Sequence, residues 1–246
     1  MIVHEKALKQ KAIFLFLTFS ICQNAFSKAK DQNSFVMATH TRPPINEILN
    51  EIYQVIFKEL GKPLKFLKQY PGKRVLLDTN TGSLDGDASR IRGIKAIAPN
   101  TENYRLVDEP IIRVQLVVVT KKGVTFKNID WNNINSGRVA YIRGSMRIRK
   151  NVVEKNRLPC TRLNCFKLLH IGRVKSVVMF KRMAVKTLEK DGIDAEKLVI
   201  HPKPLMEFDL YPFVHKKHAN HIPKMEKLIR EIKAKGIYGQ ILAKYE

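Results

Sequence analysis

The spacing of apolar residues changes repeatedly along the chain, and each change marks an element. SFVMAT, residues 34–39, is a short apolar run that predicts a strand, and HTRPP after it predicts a loop. From Ile45 the spacing switches. Ile45, Ile48, Leu49, Ile52, Ile56 and Leu60 share one face of a helix, because positions three and four apart lie above one another. Gly61 ends that helix. PLKFLK reads as a strand, GKRVLLDTNT as a short helix closed by Gly82, and Leu84 to Ala88 as the next short strand. Val114 to Val119 is largely β-branched and apolar, the composition of a buried strand.

The same alternation continues in the second half. GRVAYIRGS, residues 137–145, is a strand running into a Gly-Ser turn, followed by a basic amphipathic helix to about Asn156. RLNCFKLLH is a helix stopped by Gly172, RVKSVVMF a strand and KRMAVKTLEK a helix. KLVIH and EFDLYPFVH are strands. Ile222, Met225, Leu228, Ile229 and Ile232 mark a long helix broken at Gly236, with a short helix in the tail. Strands that alternate with helices predict an α/β architecture with largely parallel sheets. The polar stretch 120–136, between two strand–helix series, is the expected passage from one lobe to another.

The start of the chain reads differently. Lys6, Lys9 and Lys11 precede an apolar run from Ala12 to Ile21, and small residues follow. A basic start, a short apolar stretch and a small-x-small site make a secretory signal peptide, taken as residues 1–27, with cleavage after Ala29 fitting equally. That run is too short to span a bilayer. Removal of the leader takes Cys22 with it and leaves Cys160 and Cys165. In an exported protein an even pair suggests a disulfide. The spacing demands a turn between them, and the alternative is two reduced cysteines packed as small apolar residues.

Charge adds a constraint. Lys and Arg number 45 against 22 Asp and Glu, a formal net charge of +23. Nucleic acid, an anionic envelope surface and an anionic ligand are the partners such a charge suits. The bases are spread along the chain without a dense arm or an aromatic–basic module, which argues against nucleic acid. His215, His218 and His221 stand three apart, but Lys216 and Lys217 would repel a cation and Pro223 delays the next helix. An exposed loop without metal is the expectation there. No Ser-His-Asp, Cys-His or paired-glutamate signature stands out, and nothing calls for a cofactor.

Several local patterns occur in a telling order: strand–PP–helix–ELG, LDGD, VDEPI leading into LVVVTKKG, GRVAYIRGS, LLHIGRVKSVVMFKRMAV and EFDLYPFVHKKH. Over residues 34–246 the series resembles the bacterial periplasmic solute-binding proteins of the amino-acid-binding type, extracellular solute-binding family 3. The resemblance implies a two-lobed α/β fold with a cleft between the lobes and two crossing segments. Lobe 1 would hold residues 28–120 and 208–246, and lobe 2 residues 121–207. It also implies a monomeric periplasmic protein that binds a small solute by lobe closure, for an ABC-type permease or a sensor. An envelope adaptor using the basic surface, or a small enzyme on the same fold, are the alternatives.

The expected site lies at the carboxyl ends of the strands. Arg90 suits a bidentate pair with a carboxylate or phosphate, and Asp87 would orient Arg90 or receive a ligand amine. His40 and Arg42 follow the first strand, and a cation at position 42 favours an anionic ligand. Arg143 and Ser145 stand at a helix start, where the resemblance implies a carboxylate subsite. Relatives that bind α-amino acids often carry an aspartate near the place held here by Phe180. Its absence favours an anionic organic solute.

Overall fold

The computed structural model describes residues 34–190 and 193–245. The expected leader, residues 1–27, lies outside them. Lobe 1 begins with β1 (Phe35–Ala38), α1 (Ile45–Leu60), β2 (Leu64–Leu67), α2 (Gly72–Thr81), β3 (Gly86–Arg90) and β4 (Tyr104–Leu106). A long strand, β5 (Ile112–Lys121), leads into lobe 2. There follow α3 (Trp131–Ile134), β6 (Val139–Ile142), α4 (Met146–Asn151), β7 (Arg157–Cys160), α5 (Arg162–His170), β8 (Ser176–Phe180), α6 (Lys181–Lys190) and β9 (Leu198–Ile200). A second long strand, β10 (Met206–His215), returns to lobe 1, where α7 (Ile222–Ala234) and α8 (Ile237–Ala243) complete the chain.

The apolar faces read from the sequence build the cores. Ile45, Ile48, Leu49, Ile52 and Ile56 of α1 are buried against Met225, Leu228, Ile229 and Ile232 of α7 in one cluster. Each such side chain removed from water contributes about 1.5–3 kcal/mol. Gly61 ends α1 at φ 67°, a left-handed conformation that glycine adopts without a steric penalty. Lobe 2 has two clusters, one on each face of its sheet, around Phe166 and Leu169 and around Tyr141 and Ile148.

The strands run in the order β2-β1-β3-β10-β5-β8-β6-β7, with β4 also on β10 and β9 also on β5. β1 is parallel to β2 and β3, and β6 is parallel to β7 and β8. The two long strands are antiparallel to each other, pairing Ile112–Leu116 with Met206–Leu210. Beyond that pairing β5 joins β8, and β10 joins β3. The passages between lobes are therefore these paired strands. The stretch 120–136 comes after the passage and carries the end of β5, a turn at Gly123 and α3.

Two local expectations need correction, and a third is met. β3 begins at Gly86 and runs through Arg90, two residues later than the apolar pattern placed it. All five of its residues are buried, and β1 and β10 pair with it on either side. Gly86 permits this packing: a Cβ there would meet Phe213 O at 2.9 Å. The amphipathic helix after Ser145 stops at Asn151, and Arg157–Cys160 form a strand instead. Pro159 hid that strand from a pattern reading. Its missing N–H is tolerated because β7 is an edge strand. Cys160 and Cys165 form a disulfide that ties the end of β7 to α5, with Cα atoms 5.6 Å apart.

Candidate functional site

The pairing of the long strands fixes where the parallel strands end. β8 runs antiparallel to β5 with Phe180 opposite Leu116, so its carboxyl end, and with it that of β6, lies at the passage between lobes. β3 runs antiparallel to β10 with Arg90 opposite Tyr211, so the carboxyl ends of β3 and β1 lie at the same passage from the other side. Both lobes thus present the loops after their strands toward one another, the position in which open α/β sheets bind ligands.

In lobe 1 this end carries a buried polar cluster. Arg90 Nε donates to Asp87 Oδ2 at 2.5 Å, and Arg90 Nη2 donates to Gly72 O at 2.9 Å. Asp87 also accepts from the Ser89 N–H at 3.4 Å, and the Tyr104 hydroxyl lies 3.3 Å from it. Asp87 is 0% exposed and Arg90 9%. Burial raises the Asp87 pKa, with the Arg90 charge opposing that rise. The bond from Arg90 engages one carboxylate oxygen of Asp87 and orients the guanidinium.

His40 stands beside this pair, across from Gly72, whose Cβ would lie 3.5 Å from that of His40. Its side chain is exposed to solvent. Desolvation by the neighbouring protein and the Arg90 charge lower its pKa, which favours the neutral imidazole, whose nitrogens can accept as well as donate. Thr39, Thr41 and Ser89 form a hydroxyl chain at the same strand ends, with Thr39 Oγ1 2.8 Å from Thr41 Oγ1 and 3.0 Å from Ser89 Oγ. Asn46, in the first turn of α1, is 0% exposed, and its amide has no hydrogen-bond partner. Leaving such a group unpaired costs about 1–3 kcal/mol. Arg42, in the same loop, is exposed.

The lobe 2 candidates form a second group. Arg143 and Ser145 line a cavity of about 340 Å³ with Arg149 and Arg157, after the end of β6. Ser145 makes no side-chain cap for α4. Phe180, at the end of β8, packs against the clusters of both lobes and lies 6.2 Å from Phe208 of the crossing strand. That position is at the junction of the cores. A direct tie between lobes joins Lys186 of α6 to Glu47 of α1 at 3.1 Å.

His215, the last residue of β10, and His218 after it are part of the scaffold. His215 is buried, which corrects the expected exposed loop, and its Nδ1 accepts from the Lys217 N–H. His218 Nε2 lies 2.7 Å from Asp85 Oδ1. Burial pushes Asp85 up, but hydrogen bonds from His218, Lys217 and the Val36 N–H outweigh it and hold the carboxyl well below the usual range. Among the described residues no cluster of His, Cys, Asp and Glu is arranged to hold a metal ion, and no helix is long and apolar enough to cross a membrane. The sequence reading missed Thr39, Ser89 and Asn46. Their one legible signal is that small polar residues stand where an apolar strand ends or a helix begins.

No family model matches the chain, and no curated protein matches it in sequence. Solved structures match it closely in shape. A variant of the arginine-binding protein ArgBP from T. maritima is 18% identical with a TM-score of 0.66, over 90% of this chain and 98% of that one. A histidine kinase sensor domain with similarity to periplasmic binding proteins is 14% identical with a TM-score of 0.69, over 86% and 95%. The GluR0 ligand-binding core in complex with L-glutamate is 12% identical with a TM-score of 0.70, over 86% and 97%. The chain thus has the type II periplasmic-binding-protein fold, the fold of the amino-acid-binding proteins of solute-binding family 3.

Proposed function

We propose that this chain is a non-catalytic solute-binding protein of the periplasm. It captures a small polar, anionic solute by closing its two lobes and presents that solute to an inner-membrane permease or a sensor. The observation that carries the reading is Arg90, held by Asp87 and Gly72 at the point where the strand ends of both lobes converge. A guanidinium fixed in this way keeps its remaining N–H groups for a carboxylate or phosphate at little further entropic cost. Arg42 and Arg143 add positive charge on either side. The carboxylate among the expected contacts, Asp87, is already engaged, which favours an anion over a solute with a free amine.

Closure has a driving force only if the closed state binds the solute better than the open one. In this reading Arg143 and Ser145 complete the site from lobe 2. A thermal-shift screen of amino acids, dicarboxylates, phosphorylated solutes, small peptides and divalent metals tests it. A solute at 100 times its dissociation constant stabilises a protein by about 2.7 kcal/mol. The expected outcome is a rise in Tm of several degrees with an anion, lost in the paired variant Asp87→Asn with Arg90→Met. That pair removes the guanidinium without stranding a buried carboxylate. Stabilisation that survives in the paired variant, or none from any anion, would overturn the reading.

A further inference from the structure

A further cavity lies away from the lobe 1 cluster. It has a volume of about 650 Å³ and lies along β7, the edge strand of lobe 2, under α5. Four cations line it: Arg138, Arg143, Lys167 and Arg173. No acidic residue lines it. Elsewhere bases near carboxylates pair with them, as in Arg74–Asp78, Arg92–Asp108, Arg113–Asp209 and Lys233–Glu109. These four have no carboxylate partner among the described residues. They also come from separate parts of the chain. Arg138 precedes β6, Arg143 follows it, Lys167 is on α5 and Arg173 is on the turn after it. The fold, and not a local run of basic sequence, gathers them.

The rest of the lining is apolar or neutral. Leu158, Leu168 and Ile171 supply hydrocarbon, and Ile171 is 63% exposed. Thr161 and Asn164 add neutral polar groups. The Cys160–Cys165 disulfide closes the short loop that carries both of them, so it holds one wall of the cavity in place. Volumes of roughly 300–1,000 Å³ with a mainly apolar lining and a few placed polar groups are those of small-molecule sites. Unpaired arginines are the side chains best matched to phosphate oxygens.

We propose that this cavity is a second binding site, separate from the lobe 1 cluster, for an organic phosphomonoester. The phosphate would sit among the four cations and the organic part against Leu158, Leu168 and Ile171. Arg143 borders both this cavity and the smaller one that holds Ser145, so occupancy here would bear on the lobe 2 half of the cleft.

Phenyl phosphate, the simplest probe with both halves, tests the proposal by calorimetric titration of the mature chain. The expected result is saturable binding, at least tenfold tighter than inorganic phosphate. It is retained in Asp87→Asn with Arg90→Met and at least tenfold weaker in Lys167→Ala with Arg173→Ala. Both residues of the second pair are exposed and outside any ion pair, so an unchanged Tm verifies its fold. Absence of saturable phenyl phosphate binding overturns the proposal. So does binding that the cleft pair abolishes and the Lys167 and Arg173 changes leave intact. Flotation with phosphatidic acid vesicles separates the two sources of this chemistry. Flotation lost in the Lys167 and Arg173 variant assigns the phosphate to a lipid headgroup, and no flotation assigns it to a soluble molecule.

Discussion

Replacing Arg90 by alanine has a consequence that a contact count at the site would understate. Asp87 is 0% exposed, and its 2.5 Å bond from Arg90 is its one charged partner. Its other contacts, to the Ser89 N–H at 3.4 Å and the Tyr104 hydroxyl at 3.3 Å, are at the long end of the hydrogen-bond range. Neither compensates a stranded carboxylate. Removing one partner of a buried pair costs about 3–5 kcal/mol. At roughly 2–4 °C of Tm per kcal/mol for a chain of this size, Arg90→Ala should lower Tm at pH 7 by about 6–20 °C.

The pH dependence carries the sharper test. Burial already raises the Asp87 pKa despite Arg90, and losing the guanidinium raises it further. A carboxyl whose folded pKa lies above its unfolded value favours folding only while protonated. Its contribution is complete below the unfolded pKa and is lost as pH rises through the folded one. The stability gap between wild type and Arg90→Ala should therefore shrink as pH falls. Adding Asp87→Asn to Arg90→Ala should recover most of the loss at pH 7. Thermal denaturation at several pH values measures all three. A drop in Tm below about 3 °C, a gap that is constant with pH, or no recovery in the double variant would refute the assignment of Asp87 as a buried ion that depends on Arg90.

Other consequences follow from the same packing. His40, with its pKa lowered, should titrate below its ordinary pKa of 6.5 by NMR. Because the unfolded histidine binds a proton near its ordinary pKa of 6.5 and the folded one only at lower pH, His40 adds a loss of stability as pH falls from 6.5 toward the folded value, and His40→Asn should remove it. Reduction of Cys160–Cys165 opens a loop with a sequence separation of 5, and the chain-entropy relation assigns about 2 kcal/mol to it, read as a lower Tm in reductant. Gly86→Ala would press a Cβ to 2.9 Å from Phe213 O and 3.0 Å from Met37 Cε, an overpacking that costs about 1–3 kcal/mol in urea denaturation. Tyr53→Phe should cost about 1 kcal/mol or somewhat more, because it leaves the Ala88 carbonyl, bonded at 2.6 Å, without its donor.

Much of this molecule follows from its sequence alone, where local physics is decisive. The i, i+3, i+4 spacing of α1 and α7 determines their buried faces, since a helix presents those positions together whatever it packs on. Gly61 and Gly82 end helices because they adopt φ values of 67° and 80°. The alternation of strands and helices was enough to reach the α/β class. Other features depend on what lies alongside. GDASR is a fully buried interior strand although three of its five residues are polar, because Ser89, Asp87 and Arg90 find hydrogen-bond partners in the fold. RLPC is a strand because it lies at an edge, where Pro159 needs no partner for a missing N–H. Arg90 and Asp87 were legible as a charged pair, but only the packing of Tyr104, Gly72 and β10 decided that both are buried and bonded to one another. The cations around the lobe 2 cavity are separated in sequence and adjacent in space. The reason is general: periodicity is a property of a segment, whereas burial and the meeting of charges are properties of the surfaces that segments share.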